Sequence, residues 1–384
     1  MRLKKEPSLH IDDDDRYARL KLIGWWDQQR LRDARVLVVG AGALGNEVLK
    51  NLALVGIGEI HLIDFDTIEN SNLSRSVLFR AGDAGRSKAE VAATAVHDLN
   101  SDVTVESVHG NVLTDIGLGL VREMDLVIGC LDNREARLWV NRMCWKVNTP
   151  WIDGGIQEIN GVAKVFIPPD GACYECGMTE RDYQLIQLRY SCPLLRREDM
   201  QQGKVPTAPT IASIIAGMQV QEALKLLHEL PTDSGAALVF NGAGNQFYKS
   251  SFQHREDCLS HETYGPICES PLTAFHSLIE VSAWLKEQTG QEIEKLTLDR
   301  DFVTFLDCHQ CNFEQAINQT RPSVSMGSAL CSKCEQVMAP RMIHVIDIDS
   351  PHAESSLHHL GVPDRDILQV TCGNETVFIE LSAC

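Results

Sequence analysis

The sequence lacks long apolar runs and lacks an excess of positive charge. No apolar stretch approaches the roughly 18 residues that a membrane-spanning helix needs. The 35 Lys and Arg residues are outnumbered by 53 Asp and Glu residues, and the net charge of −18 argues against nucleic acid or an anionic membrane as a partner. Residues 1–7 carry charge but no apolar core, so we do not expect a secretory signal. These absences predict a cytoplasmic protein.

The length of the chain predicts more than one domain. At 384 residues it exceeds the usual size of a single hydrophobic core. Near residue 271, alternating strand and helix signals give way to a helix and closely spaced strands. We therefore predict two domains, residues 1–270 and 271–384, with an inserted segment at about 177–210 in the first.

A buried strand, a glycine-rich turn and a helix are predicted over residues 36–53. Gly40 permits the turn, Gly42 lets the backbone approach a ligand, and Gly45 lets the helix pack on the strand. A helix N-terminus favours a phosphate because its N–H groups are unpaired and its dipole is positive there. The next predicted strand ends at Asp64, where a ribose hydroxyl would be held. These residues alone fit any nucleotide, including the dinucleotide of a dehydrogenase.

A polar segment without helical or strand periodicity follows Asp64. It contains Asn72 and Arg75, and Lys88 comes at the start of the next predicted helix. Long loops at the carboxyl end of a parallel strand usually carry function. Three donors directed at phosphate groups favour a triphosphate over the dinucleotide of a dehydrogenase.

Asp132 directly follows another predicted strand, residues 124–130. The alternation of strands and helices predicts a parallel, doubly wound sheet, so Asp132 should emerge at the same sheet edge as Gly42 and Asp64. A carboxylate that faces a triphosphate is a natural Mg²⁺ ligand. The alternative is that Asp132 caps the following helix.

Together these motifs resemble the adenylation domain of the ubiquitin-activating-enzyme superfamily and its ThiF/MoeB-type relatives, which adenylate sulfur-carrier proteins. The motifs are Gly-x-Gly-x-x-Gly at 40–45, Asp64-Phe-Asp66, Asn72-Leu-Ser-Arg75, Gly85-x-x-Lys88 and Leu131-Asp-Asn133. The resemblance covers about residues 16–260. It implies that ATP is used to adenylate the C-terminal carboxylate of a ubiquitin-like protein.

The resemblance also implies roles for individual residues. Asp64 would hold the ribose, Asp132 would hold Mg²⁺, and fixed cations would stabilise the charge that accumulates at the phosphates. Arg19 matches an arginine that crosses a homodimer to the partner subunit's phosphates; an ordinary surface arginine is the alternative. The nucleotide-binding set is Gly40, Gly42, Gly45, Asp64, Asp66, Asn72, Arg75, Lys88, Asp132 and Asn133, and the catalytic set is Arg19, Arg75, Lys88, Asp132 and Cys192.

Cysteine spacing predicts two zinc sites. Two Cys-x-x-Cys pairs about 20 residues apart, at 308–311 and 331–334, are typical of a zinc ribbon. A single Cys-x-x-Cys pair at 173–176 is ambiguous between metal and redox chemistry. The family pairs this knuckle with a second one later in the chain, and Cys258-Leu-Ser-His261 stands at the matching place, with Cys268 as an alternative fourth ligand. The predicted ligands are Cys173, Cys176, Cys258 and His261 in one site, and Cys308, Cys311, Cys331 and Cys334 in the other.

Cys192 lies among polar and basic residues between the two halves of the predicted knuckle site. Nearby positive charge lowers the pKa of a thiol and increases its thiolate fraction. The segment resembles the crossover loop that carries the thioester cysteine of activating enzymes. The alternative is an inert cysteine that only fills space.

The C-terminal region predicts a helix at 272–286, a hairpin formed by 295–298 and 302–306, and a closing pair of strands. This order suggests a β-grasp-like domain that carries the zinc ribbon, and it resembles the ubiquitin-fold domain with which activating enzymes recruit a conjugating enzyme. The expected fold is thus α/β, with a Rossmann-like doubly wound sheet and a smaller β-grasp-like domain. The expected function is activation of a ubiquitin-like protein through adenylation and a thioester on Cys192; the alternative is a sulfur-carrier adenylyltransferase without a thioester step.

Overall fold

The structure is a computed structural model, and it describes residues 14–191, 206–325 and 327–384. Two β-sheets organise these described residues, one of eight strands and one of six. The first sheet contains β1 (Arg35–Val39), β2 (Glu59–Ile63), β3 (Thr104–Val108), β4 (Leu126–Gly129), β5 (Trp151–Gln157), β6 (Asn160–Phe166), β7 (Ala236–Asn241) and β8 (Gln246–Ser251).

The strand order of the first sheet is β3-β2-β1-β4-β5-β6-β7-β8. The first five strands are parallel, whereas β6, β7 and β8 extend the sheet in antiparallel fashion. The order reverses between β1 and β4, and ligands bind open α/β sheets at such a switch point. The predicted Rossmann-like fold class is confirmed, with an antiparallel extension that the sequence did not predict.

Helices cover both faces of this sheet because alternate residues of the central strands point into separate cores. Val36 and Val38 of β1 pack into one core, and Leu37 and Val39 pack into the other. The helices of this half are α1 (Gln28–Asp33), α2 (Ala43–Val55), α3 (Lys88–Leu99), α4 (Val112–Asp115), α5 (Leu118–Glu123), α6 (Arg134–Lys146), α7 (Glu180–Ser191) and α8 (Pro209–Leu227).

The second sheet has the order β11-β10-β13-β14-β9, with β12 also paired to β10. Helix α9 (Leu278–Thr289) packs on it; Ser277 and Glu280 form a capping box at its start, and Gly290 ends it with a φ of 77°. The strands are β9 (Ile267–Glu269), β10 (Lys295–Cys308), β11 (Phe313–Thr320), β12 (Ala339–Asp347), β13 (Ile367–Cys372) and β14 (Glu375–Glu380). The predicted closing hairpin is β13–β14, and β9 comes from residues placed in the first predicted domain.

The predicted hairpin at 295–306 is wrong, because these residues form one continuous strand, β10. A hairpin of 295–298 and 302–306 would need a turn at the polar Asp-Arg-Asp sequence, 299–301. That sequence is instead an irregularity in the pairing of β10 with β12, where the register shifts between Thr297 and Phe302. The side chain of Arg300 turns inward there and is 7% exposed.

A buried ion pair of the second half, Arg300 with Asp366, makes hydrogen bonds to the first half. Arg300 donates to Asp366 Oδ2 at 2.9 Å and also to the carbonyl oxygens of Leu113 and Ile116 in the first half. The backbone N–H of Leu118, the first residue of α5, donates to the other carboxylate oxygen of Asp366 at 2.8 Å. These contacts fix the second sheet against the α4–α5 face of the first.

None of the helices in the described part of the chain has the length and apolar character needed to cross a bilayer.

Candidate functional site

A cavity of about 1010 Å³ opens at the carboxyl ends of β1, β2 and β4. It brings together most of the predicted nucleotide-binding residues, although these lie far apart in the chain. Gly45 is the one member of that set outside the cavity lining, because it is buried within α2. The lining members are Gly40, Gly42, Asp64, Asp66, Asn72, Arg75, Lys88, Asp132 and Asn133.

The three glycines of the turn differ in how much space surrounds the position that a Cβ would occupy. Gly40 has a φ of +100°, and a Cβ there would lie 2.6 Å from the carbonyl oxygen of Cys130. A Cβ at Gly45 would lie 1.9 Å from the carbonyl oxygen of Gly40, so only glycine lets α2 approach the turn. A Cβ at Gly42 would meet nothing within 4 Å. The open space beside Gly42 is therefore where a ligand can contact the backbone.

Asp64 is held at the end of β2 by backbone donors. Ala41 N–H donates to its Oδ2 at 2.7 Å, and Asp66 N–H donates to its Oδ1 at 2.8 Å. Burial raises the pKa of Asp64, while the charge of Lys88 and these two hydrogen bonds oppose that rise. The carboxylate is thus fixed against the glycine turn, in a position that suits a hydroxyl donor.

Lys88 and Arg75 supply positive charge on the β2 side of the cavity. Lys88 begins α3 and is 8% exposed, and its Nζ lies 2.6 Å from Asp66 Oδ2. Arg75 donates to the carbonyl oxygen of Ser71 at 3.0 Å. The side chain of Asn72 accepts from Glu69 N–H and so braces the loop between Asp64 and α3.

Asp132 and Asn133 have different local roles. The N-cap of α6 is Asn133, whose side chain accepts from Ala136 N–H at 2.8 Å. The alternative interpretation of Asp132 as the helix cap is therefore wrong. Asp132 is exposed to the cavity, where its carboxylate is available to a cation, whereas the side-chain oxygen of Asn133 is engaged by the helix.

Arg19 lies outside the cavity lining. It precedes a 3-10 turn at Leu20–Leu22, and its side chain is exposed. Within the described ranges of this chain, the structure does not bring Arg19 to the other predicted catalytic residues.

The four predicted knuckle ligands converge. The sulfur atoms of Cys173 and Cys176 are 3.7 Å apart, those of Cys173 and Cys258 are 3.5 Å apart, and Cys176 Sγ lies 3.4 Å from His261 Nε2. Tetrahedral zinc with Zn–S bonds of about 2.3 Å requires sulfur separations of about 3.8 Å. The donor set and spacing therefore fit a structural zinc ion. Cys268 is excluded from this cluster because it lies in β9.

The four ribbon cysteines also converge, at the end of β10 farthest from α9. All four sulfur atoms lie within 4.8 Å of one another, and those of Cys308 and Cys334 are 3.5 Å apart. Together with Val303, Leu306 and Met338, they form a small separate core. A metal ion would crosslink this end of the second sheet, where little apolar area is buried.

Glu175, between the two knuckle cysteines, connects the first cluster to α6 and α7. It is fully buried and accepts from Arg142 of α6 at 2.8 Å and from Tyr183 of α7 at 2.7 Å. Burial opposes ionisation, but these bonds together with Ser260 leave the pKa of Glu175 below its usual value. Helix α7 is thereby anchored to the knuckle and leads toward Cys192, which lies outside the described residues.

A model of the ThiF family matches residues 15–260, well over half of the chain. The chain belongs to the ThiF family. Its ThiF-family relatives include the SAMP-activating enzyme E1 of Haloferax volcanii, 33% identical over 68% of this chain and 91% of that protein. Ubiquitin-like modifier-activating enzyme 5 of Dictyostelium discoideum is 31% identical over 65% of this chain and 68% of that protein.

The similarity of this ThiF-family chain extends to an adenylyltransferase and sulfurtransferase and to solved structures. Adenylyltransferase and sulfurtransferase MOCS3 of Mus musculus is 33% identical over 67% of this chain and 54% of that protein. The crystal structure of E. coli MccB with ATP superposes with a TM-score of 0.55 and 26% identity, covering 66% of this chain and 76% of MccB. The chain is thus a member of a family of adenylyltransferases and ubiquitin-like modifier-activating enzymes.

Sequence reasoning missed a cluster of three charged residues beside the cavity of this ThiF-family chain: Arg137, Asp153 and Lys164. Asp153 is fully buried near the middle of β5, and it accepts from Arg137 of α6 at 2.9 Å and from Lys164 of β6 at 3.2 Å. Both cations line the cavity. The available signal was an aspartate inside an otherwise apolar strand sequence, Trp-Ile-Asp-Gly-Gly, since a buried carboxylate requires a cationic partner.

Proposed function

We propose that this protein activates a ubiquitin-like protein with ATP. ATP binds in the cavity at the glycine turn, and the C-terminal carboxylate of the ubiquitin-like protein attacks the α-phosphate. A carboxyl–phosphate bond forms, pyrophosphate leaves with the electron pair of the broken phosphoanhydride bond, and an acyl-adenylate remains. The acyl group then passes to Cys192 as a thioester, with release of AMP, and from there to a conjugating enzyme.

The observation that carries this proposal is the set of residues that line the cavity, which belong to two parts of the sheet. One part contains the glycine turn and its charged residues, and the other continues across the open face of β6, β7 and β8. Val162, Val239 and Tyr248 are register neighbours on these three strands, and all three line the cavity. An ordinary nucleotide needs only the first part. A second, extended part fits a polypeptide tail that ends at the phosphates.

The charges in the first part support adenylation rather than hydride transfer. Arg75 and Lys88 would bind phosphate oxygens and stabilise the charge that develops during attack. Asp132 would hold Mg²⁺, which supplies further charge neutralisation at the phosphates. Binding and orientation of the two substrates provide the rest of the rate enhancement, since no protein nucleophile is required at this step.

Zinc in the two cysteine clusters is proposed as structural. Each cluster offers four protein ligands, which leaves no open position for a substrate. The knuckle ion would stabilise the base of α7, and the ribbon ion would stabilise the end of the second sheet.

The second sheet is proposed to hold the conjugating enzyme. It carries a groove of about 720 Å³ lined by Glu292, Glu294, Asp347 and Asp349. Such a surface attracts a basic partner and speeds its association at low ionic strength.

The decisive experiment measures ATP–pyrophosphate exchange with a panel of purified ubiquitin-like proteins that end in glycine. We expect exchange with at least one of them, its loss in Asp132→Asn, and unchanged exchange in Asp98→Asn, a matched exposed control in α3. Absence of exchange with every member of the panel would contradict adenylation.

A second candidate function stops at the acyl-adenylate, as for a sulfur-carrier adenylyltransferase, and the similarity to MOCS3 favours keeping it. Cys192→Ala separates the two candidates. For the activating enzyme, the variant keeps pyrophosphate exchange but loses the thiol-sensitive adduct that intact-protein mass spectrometry detects in the parent protein. An adduct that persists in Cys192→Ala would remove this cysteine from the mechanism.

A further inference from the structure

We propose that Arg137 and Lys164 form a binding site for the terminal carboxylate of the acyl substrate, an inference that rests on the proposed adenylation. We refer to these two residues and Asp153 as the carboxylate clamp. The clamp is separate from the cations on the β2 side, Arg75 and Lys88, because it lies on the opposite side of the switch point, at β5 and β6.

The position of the clamp follows from its hydrogen bonds. Arg137 donates to the carbonyl oxygens of Leu131, which precedes Asp132, and of Gly154. Arg137 therefore lies next to the predicted magnesium ligand, and it lines the same cavity as Gly42 of the glycine turn, where the α-phosphate of a bound ATP would come.

Lys164 lies on the side of the clamp that faces the extended part of the cavity. It is the direct register partner of Asp153, and it lies two residues from Val162 on the same face of β6. Its Nζ also lies 4.9 Å from the centre of the Tyr174 ring. A tail that runs along β6 toward the phosphates must therefore pass Lys164 immediately before it reaches Arg137.

The charge of the clamp points to an anionic ligand. Two cations share one buried carboxylate, so the group carries a net positive charge that faces the cavity. One cation is enough to neutralise the Asp153 carboxylate, and the hydrogen bond from Arg137 Nε already provides it. Arg137 Nη1 has no hydrogen-bond acceptor among residues 14–191, 206–325 and 327–384. Burying an unneutralised charge costs free energy, and a bound carboxylate would offset that cost.

A purely structural role accounts for less of this arrangement. Arg137 does join the residues that follow β4 to β5 through its two carbonyl acceptors, which explains its burial. Lys164 donates to Asp153 at 3.2 Å and lies over the rings of Tyr174 and Phe252, yet its side chain is 19% exposed and lines the cavity. The structure therefore leaves Lys164 accessible to a substrate.

The test uses a recombinant ubiquitin-like protein that ends in Gly-Gly and supports exchange, together with the same protein made as its C-terminal amide. In Lys164→Gln we expect KM for the ubiquitin-like protein to rise about 10- to 100-fold, because one hydrogen bond between charged groups is lost. KM for ATP should stay unchanged. Binding measured by calorimetry should favour the carboxylate over the amide in the parent protein, and Lys164→Gln should lose that preference. Lys164→Arg should restore it.

Lys249→Gln, in β8 on the sheet face opposite to Lys164, is the matched control and should change neither constant. A Lys164→Gln protein that exchanges pyrophosphate and still prefers the carboxylate overturns the clamp alone. A rise in KM for ATP of the same size, with a lowered melting temperature, shows a structural role and also overturns it. Absence of exchange in the parent protein overturns both the clamp and the proposed function.

Discussion

At the scale of single residues, one glycine of the glycine turn is required for folding and another for ligand binding. Gly45 is required by its neighbours within the chain, since a Cβ there would overlap the carbonyl oxygen of Gly40. Gly42 has ordinary backbone angles, with a φ of −71°, and open space around it. Two glycines of one motif should therefore respond differently to the same substitution.

We expect Gly45→Ala to destabilise the fold and Gly42→Ala to leave it intact. The added methyl group at position 45 forces α2 away from β1, at a cost of about 1–3 kcal/mol or more. The methyl group at position 42 fits the empty cavity but occupies the approach to the phosphates. Urea denaturation should show a lowered midpoint only for Gly45→Ala. Calorimetry should show weakened ATP binding by Gly42→Ala, and equal ATP affinity for Gly42→Ala and the parent protein would contradict this assignment.

The sequence predicted most of the cavity because its residues fall in short motifs at strand ends. Gly42, Asp64 and Asp132 lie in one cavity because parallel strands end at the same edge of the sheet. Their proximity follows from the strand topology and does not depend on particular side-chain contacts. Arg137 and Lys164 were missed because their connection depends on the antiparallel register of β5 and β6, and no local signal encodes that register. The role of Asn133 as the α6 cap was missed because two adjacent residues could each fill it.

At the scale of elements, helix α7 connects the knuckle cluster to the Cys192 segment. Its anchor is the hydrogen bond from Tyr183 to Glu175, a residue enclosed by the knuckle. The same helix contacts the start of α6 through Asp182 and Arg134 at 2.8 Å. The helix that precedes Cys192 is thus held both by Glu175 of the knuckle cluster and by the start of α6 beside the cavity.

We expect Tyr183→Phe to slow thioester formation on Cys192 more than it slows adenylation. The change removes one hydrogen bond to a buried carboxylate, worth about 1.5–3 kcal/mol, and leaves the cavity lining unaltered. Pyrophosphate exchange and single-turnover adduct formation measure the two steps separately. Equal slowing of both steps would show that α7 instead acts on adenylation.

The metal clusters should differ in what their loss affects. We expect Cys258→Ser to lower the bound zinc and to reduce adduct formation, because the knuckle supports α7. Cys334→Ser should lower the zinc content by a similar amount but leave pyrophosphate exchange unchanged, because the ribbon core is separate from the cavity. Elemental analysis and exchange assays check both outcomes. Cys372→Ser is the control, since Cys372 belongs to neither cluster. Full zinc content in Cys258→Ser would exclude Cys258 as a zinc ligand.

At the scale of the whole molecule, a buried ion pair of the second half holds the two sheets together through the hydrogen bonds that both of its members make to the first half. Arg300 and Asp366 are 7% and 3% exposed, and burial raises the pKa of Asp366 while the charge of Arg300 opposes that rise. The predicted hairpin failed at this same place. A charged triplet that would be solvated in a turn is retained in a strand because its central arginine pairs with Asp366 and donates across the interface to the carbonyl oxygens of Leu113 and Ile116.

We expect Arg300→Met to destabilise the protein by about 3–5 kcal/mol, because it leaves the Asp366 charge buried without a partner. Arg300→Met combined with Asp366→Asn should recover part of that loss, since the unpaired charge is then removed. Arg341→Met is the control: its guanidinium pairs with Asp307 at 48% exposure, and such pairs contribute about 0–1 kcal/mol. Denaturant titration gives all three values, and equal losses for Arg300→Met and Arg341→Met would contradict the buried-pair assignment.

Arg19 gives the last prediction, because it lies outside the cavity of its own chain and is proposed to act in the partner subunit. Arg19→Ala and Asp132→Asn should each abolish exchange as pure homodimers. In a twofold dimer formed from equal amounts of both proteins, half of the dimers are mixed, and each mixed dimer contains one intact site. Co-refolded protein should therefore regain about a quarter of the parent activity. An arginine that served its own subunit's site would yield no intact site on mixing, so activity that stays at zero in proven mixed dimers would refute the shared site.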